Sequence, residues 1–454
     1  MFRPISNSFR VAVALGLLAL IAACTAEPST DPLTVTPTIS APTATPTIGA
    51  PTATPSLPPN SPDAMLPTLA AAVAAEPITL TLWLPTEFSA EPARQILAQQ
   101  LNAFAADEDG RPVQVLIKND LGPGGLFDLL KTASPVAPRV LPDLIALDAA
   151  ELEAAARAGL LQPIGPLLPA DLVADLFPFA RELGTINQTL YGVVYRADLD
   201  HLVFNTRGLD TAPVRWSEIL STTEPYIFAV YDSSNYVGDA VLAHYLALGG
   251  VFVTADGQPT LDAAALTALL RVYQQAQSAG ILAANLNALN DAENVWATFL
   301  ATNAALANVP ASDFLEMTAR FPNVQFAALP ALDRPTAPIG HGWVLALVAR
   351  EPRRQAAAVK LLQWLISPEN NGALTQAGRV LPGRSAALST WDQADPYTGF
   401  IREQLTSARA APPRSVLDSV GPHLRKAVED VLAGRATPTE AAQAAVAAVG
   451  TPKP

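Results

Sequence analysis

Residues 189–206 read "TLYGVVYRADLDHLVFNT". The valines and aromatics mark the stretch as strand. Three charges, Arg196, Asp198 and Asp200, interrupt it. A strand buried on both faces does not tolerate three unpaired ions. A strand that leaves one domain, crosses exposed and enters another does. Read this way, the chain divides into two bodies joined where those charges lie.

The flanking segments support two α/β bodies. "ITLTLWL" (78–84) is a β-branched strand ended by Pro85, and "SAEPARQILAQQLNAF" sets Ile96, Leu97, Leu101 and Phe104 on one helical face. "PVQVLIK" and "LPDLIALD" are further strands, and "AAELEAAARAGLL" is a helix stopped at Gly159. Strands alternating with helices over short connections predict an open parallel sheet covered on both faces. Downstream, Asp262 caps a helix with Leu266, Leu269, Leu270 and Tyr273 inward. "NVQFAALPAL" and "IGHGWVLALVA" are strands on either side of a Pro-rich turn, and Pro352 opens a helix carrying Val359, Leu362, Leu365 and Ile366. Thr437-Pro438-Thr439-Glu440 is a capping box before an Ala-rich helix.

The amino-terminal segment is different. Arg3 and Arg10 precede an apolar run over 11–23, too short to span a bilayer permanently, and Cys24 follows at once. Ile21-Ala22-Ala23-Cys24 looks like a bacterial lipobox, so residues 1–23 read as a lipoprotein signal peptide and Cys24 as the acylated anchor. Cys24 is the only cysteine, which excludes an intramolecular disulfide. Residues 24–76 are rich in Thr, Pro, Ala and Ser, with "APTATPTIG" followed by "APTATPSLP". Such a tract has no core to form and reads as a disordered tether, reaching on the order of 100 Å in polyproline II. The remainder suffices for two ordinary domains. The net charge of −13 argues against nucleic acid and anionic membrane surfaces as partners.

In order, these segments resemble extracellular solute-binding proteins of ABC importers, family 1, the maltose-binding-protein-like sugar binders. "ITLTLWLPTEF", "PDLIALDAAELEAAARAGLLQPI", "LYGVVYRADLDHLVFNTRGLDTAPVRWSEIL", "GHGWVLALVAREPRRQAAAVKLLQWLISPENNGALTQAGRVLPGRSAAL" and "VLAGRATPTEAAQAAVAAV" carry the likeness. The resemblance implies a periplasmic-binding-protein-like clamshell of two α/β lobes joined by a multi-strand hinge. The first lobe would hold 77–195 and 339–390, and the second 196–335 and 405–450. It further implies a lipid-anchored, extracytoplasmic, monomeric binder that captures a small solute, a sugar or sugar derivative, for permease subunits of an ABC importer. No cofactor and no metal are expected, the histidines at 201, 244, 341 and 423 being isolated.

A sugar site needs aromatic platforms with a few convergent polar groups. By resemblance, Thr86 and Glu87 follow the first strand, Asp148 ends the third, and Tyr195, Arg196 and Asp198 lie on the hinge facing the cleft. Tyr231, Asn235, Tyr236 and Asp239 come from the second lobe, His341 and Trp343 from the returning strand, and Arg384 from the rim. Other readings stay open. Glu87, Asp148 and Asp239 also suit solvated loop acids; Arg196 and Asp198 also suit a mutual ion pair; Trp343 is divided between stacking and packing between lobes. Trp83, Trp216 and Trp364 read as core. No tryptophan follows Pro310 and "PPRSVLDSVGPHL" has no aromatic, departures that argue against a long oligosaccharide and leave a small sugar, a polyol phosphate or a non-sugar solute open. A sensor subunit with this fold, or a surface hydrolase using paired carboxylates, are the rival readings.

Overall fold

The computed structural model describes residues 78–107, 111–120, 122–231, 237–282, 292–302 and 304–449. The signal-peptide, Cys24 and tether expectations lie outside these residues. Eleven strands form: β1 (Leu80–Pro85), β2 (Val113–Lys118), β3 (Leu144–Asp148), β4 (Thr185–Ile186), β5 (Thr189–Leu190), β6 (Gly192–Asn205), β7 (Tyr226–Ile227), β8 (Leu306–Pro310), β9 (Val324–Ala327), β10 (Ile339–Leu347) and β11 (Arg409–Ala410). One sheet runs in the order β2-β1-β3-β10-β6-β8-β7, with β11 on β10 and β9 on β6.

The sheet is mixed, which corrects the all-parallel expectation. β1 is parallel to β2 and β3, whereas β10 runs antiparallel to both β3 and β6, and β6 antiparallel to β8 and β9. Coverage on both faces holds. Leu80, Leu82 and Leu84 are fully buried on one side with Leu97, Leu101 and Phe104 of the helix Ala93–Asp107 and Leu361, Leu362 and Leu365 of the helix Pro352–Leu365. Trp83, Ile145 and Leu147 face the opposite core. Each leucine buried this way contributes about 1.5–3 kcal/mol.

β6 is a single strand, so the three charges do not break it. Arg196, Asp198 and Asp200 are half-buried and alternate with buried Tyr195, Ala197, Leu199 and His201. The period-two geometry of a strand puts all three on one face. Nor does the strand cross exposed. It pairs with β10 as far as Leu199, then with β8 from Asp200, while Ala197 bridges to Leu381 on its other edge. The backbone polar groups of the crossing are therefore largely satisfied within the sheet.

A bulge aims the side chains. Trp343 faces Arg196 while its neighbour Val344 faces Val194, which makes Tyr195 an extra residue on β6. Gly342 permits the close approach, since a Cβ there would lie 2.7 Å from the Arg196 carbonyl oxygen.

Beyond the crossing, the core is aromatic. Trp216, Tyr226, Phe228, His244 and Tyr273 cluster behind β7 and β8, with ring centroids 5.2–6.1 Å apart. His201 is enclosed by Phe314, Tyr397 and Phe400. The capping expectations hold: the Asp262 carboxylate accepts from the Ala265 N–H at 2.7 Å, and Glu440 accepts from the Thr437 N–H at 3.0 Å. Trp83 and Trp216 are buried, and the Trp364 indole donates to the Gln100 carbonyl, so all three belong to packing as expected.

Candidate functional site

A cleft of about 1120 Å³ opens where β6 and β10 cross. Its first wall stands off the carboxyl ends of β1, β2 and β3, which supply Glu87, Asp120 and Asp148 in turn. Ligands of open α/β sheets bind at such ends, where loops diverge from a rigid scaffold. The floor is Arg196, Ala197 and Asp198 of β6 beside His341, Gly342 and Trp343 of β10. The far wall comes from the helices Ala292–Thr302, giving Trp296 and Leu300, and Ala311–Met317, giving Asp313, Glu316 and Met317. Arg379 closes one side; its φ of 52° holds it in the left-handed region, an uncommon state for a non-glycine residue.

Hydrogen bonds fix the floor. The Trp343 indole N–H donates to Glu87 Oε2 at 2.8 Å, and the Arg196 guanidinium approaches that oxygen at 3.8 Å while lying 4.5 Å over the Phe88 ring. Asp198 accepts from the Ser312 N–H at 3.2 Å and from the Ser312 hydroxyl. The alternative of an Arg196–Asp198 pair is thus corrected: Arg196 faces Glu87 and Phe88, whereas Asp198 is held by Ser312. His341 Nε2 donates to Asp239 Oδ2 at 2.7 Å. Arg379 meets Glu316 at 3.4 Å.

Burial and charge shift the acid–base groups. Burial pushes the Glu87 carboxyl up, against the pull of Arg196 and the Trp343 hydrogen bond. Burial also raises Asp198, and raises Asp200 well above the usual carboxylate range with help from Asp239 and Asp198. For His341, burial works downward, but the Asp239 carboxylate and its hydrogen bond prevail and lift the imidazole to about 9.

Of the residues anticipated from sequence, Glu87, Asp148, Arg196, Asp198, His341 and Trp343 line the cleft. Thr86 stands behind the wall, its hydroxyl donating to Asp120 at 2.7 Å, and Asp239 touches the floor only through His341. Asp148 also caps the helix Ala149–Arg157, accepting from Ala150 at 2.8 Å. Three placements differ. Tyr195 faces the other side of the sheet, fully buried with its ring 5.8 Å from Phe88, because the alternation that exposes Arg196 buries its neighbour. Arg384 is buried, bonded to Asp175 at 3.0 Å and to the Ile366 carbonyl, and ties loops rather than forming a rim. Tyr231 lies away from the cleft under the Arg425 guanidinium. Asn235 and Tyr236 lie outside the described residues.

Asp120, Trp296, Ser312, Glu316 and Arg379 were not anticipated. Asp120 had a readable signal, since it follows β2 as Glu87 follows β1. Trp296 sits at ordinary helical spacing and gave none. Among the described residues no group of three or more His, Cys, Asp or Glu is placed to hold a metal ion, and no helix is long and apolar enough to cross a membrane.

Solved structures share this fold: a mixed α/β, two-lobed solute-binding architecture. The cyclic alpha-maltosyl-1,6-maltose binding protein of Arthrobacter globiformis is 19% identical, with a TM-score of 0.68 over 82% of this chain and 98% of that one. The sugar-binding protein MalE of Xanthomonas citri is 19% identical, at 0.68 over 82% and 96%. An ABC transporter solute binding protein of Thermotoga lettingae, bound with alpha-D-tagatose, is 22% identical, at 0.63 over 82% and 98%. No curated protein sequence matches the chain. The family model for bacterial extracellular solute-binding proteins matches residues 99–397, and to that family the chain belongs.

Proposed function

We propose that the chain captures a small hydroxylated solute, a sugar or sugar derivative, in this cleft and delivers it to the permease of an ABC importer. One observation carries the reading: an indole, Trp343, is fixed in the cleft by a carboxylate, Glu87, with Asp148 opposite it in register on β3. An apolar platform ringed by acceptors suits a pyranose, whose C–H face stacks while its hydroxyls donate. The names of the similar Arthrobacter and Xanthomonas proteins favour the same ligand class.

In this reading residues 77–195 with 339–390 form one lobe and 196–335 with 405–450 the other. A solute touching both binds the closed state better and shifts the population toward it, which a transporter reads as shape. The protein leaves its ligand covalently unchanged. A diacylated Cys24 anchors it outside the cytoplasm as a monomer on its tether.

Melting and small-angle scattering across sugars and polyols test this. A true ligand at a hundred times its Kd stabilises by about 2.7 kcal/mol and compacts the particle. Trp343→Ala abolishes that shift while the unliganded Tm stays near its original value. Identical scattering across the whole panel, or release of product from a glycoside, overturns the proposal.

A further inference from the structure

The charges of the cleft do not balance. Among the described residues that line it, the cations are Arg196, Arg379 and His341, and each already faces an acid: Glu87, Glu316 and Asp239 respectively. Asp120, Asp148, Asp198 and Asp313 remain. The hydrogen-bond partners of the first three are neutral. Asp120 accepts from the Thr86 N–H and hydroxyl, and Asp148 from the Ala150 N–H. Asp198 accepts from Ser312 and the Leu199 N–H. Such bonds satisfy lone pairs without cancelling charge, and the second oxygen of Asp148 has no hydrogen-bond partner among the described residues.

A second observation concerns Trp296. It lines the same cleft, is only 5% exposed, and its indole N–H has no hydrogen-bond acceptor among the described residues. A solute hydroxyl or ring oxygen can supply that acceptor. Along the near wall and floor, acids outnumber cations.

Building on the proposal that this cleft is the solute site, we infer that the preferred solute carries a protonated amine on a hydroxylated body, as an amino sugar does. The ammonium donates up to three hydrogen bonds to carboxylates that form no ion pair among the described residues; charge-assisted bonds of this kind are roughly twice as strong as neutral ones. Trp343, its N–H held by Glu87, offers an indole face to the same cation. The net charge of −13 draws cations toward the protein and repels anions, which disfavours a polyol phosphate.

Calorimetric titration of the full chain with matched sets tests the inference, each set holding the amino, N-acetylamino and hydroxy forms of one hexose or its disaccharide. Within any set that binds, the amino form is expected to bind at least about 10-fold tighter, its advantage shrinking as salt rises. Asp148→Asn should cut the ratio of amine to neutral affinity about five-fold or more; asparagine caps helices as well as aspartate, so the fold is preserved. Neutral forms that bind as tightly as amines overturn this inference and leave the solute-binding reading standing. A polyamine without hydroxyls outcompeting every amino sugar overturns the hydroxylated body, and absence of binding in every set overturns both proposals.

Discussion

His201 and His341 occupy neighbouring strands, β6 and β10, and their surroundings are opposites. Around His201 lie Phe314, Tyr397 and Phe400, with ring centroids 5.2, 5.7 and 5.4 Å away. Its Nδ1–H donates to the Leu202 carbonyl at 3.0 Å, which leaves Nε2 to accept from the Tyr397 hydroxyl at 3.1 Å. Burial without a counter-charge lowers its pKa to about 4. His341 is only partly buried, and Asp239 holds it charged, with a pKa raised to about 9. The same side chain is packing in one place and part of a charged cleft in the other. The difference is whether a carboxylate faces it. An aromatic core and a charged cleft thus sit one strand apart.

The largest test of that separation is Tyr397→Ala. It removes a ring from the knot around His201 and should cost about 3–5 kcal/mol in urea or thermal unfolding. Affinity of the folded fraction should hold, because Tyr397 does not line the cleft. Lost affinity would mean the two regions are one unit.

The pH dependence sharpens the contrast. The depressed His201 pKa gives stability that is complete above about pH 6.5 and lost as pH falls through about 4, about 3 kcal/mol in all. His244, lowered to about 3 by burial, acts in the same direction. The raised His341 pKa works oppositely: its contribution is complete below about pH 6.5 and lost as pH rises through about 9. Imidazole NMR titration should find one midpoint near 4 and the other near 9. Coinciding midpoints would erase the distinction.

The smallest effect is expected from Asp239→Asn. The His341 side chain is 43% exposed, so solvent screens the pair and the stability loss near neutrality should be about 1 kcal/mol or less. The His341 midpoint should nonetheless fall toward its ordinary value, and the alkaline loss of stability should shrink with it. A midpoint that stays near 9 would assign the shift to other acids of the floor.

Local pattern made much of this readable. The apolar period of "ARQILAQQLNAF" gave the buried face of its helix, save that Gln100 is buried and Ile96 only half so. The family resemblance pointed to Glu87 and Asp148 at the ends of β1 and β3, and the rule that ligands bind off strand carboxyl ends, applied to β2, would have found Asp120. The charges of β6 misled because they were read as interruptions, although a spacing of two marks one face of an intact strand. Tyr195 was misplaced by that same reading.

The sequence by itself determined the elements, their caps, the crossing strand and the glycines that let β10 approach it, because propensity, capping and side-chain period act within a few residues. Tertiary structure alone decided which groups meet. Sheet order inserts β10 between β3 and β6, bringing Trp343 to Glu87 across 256 positions and His341 to Asp239 across 102. It also swings Trp296 onto the far wall, where no local pattern pointed. Partners that far apart are set by packing of whole faces against one another, which no short stretch of sequence encodes.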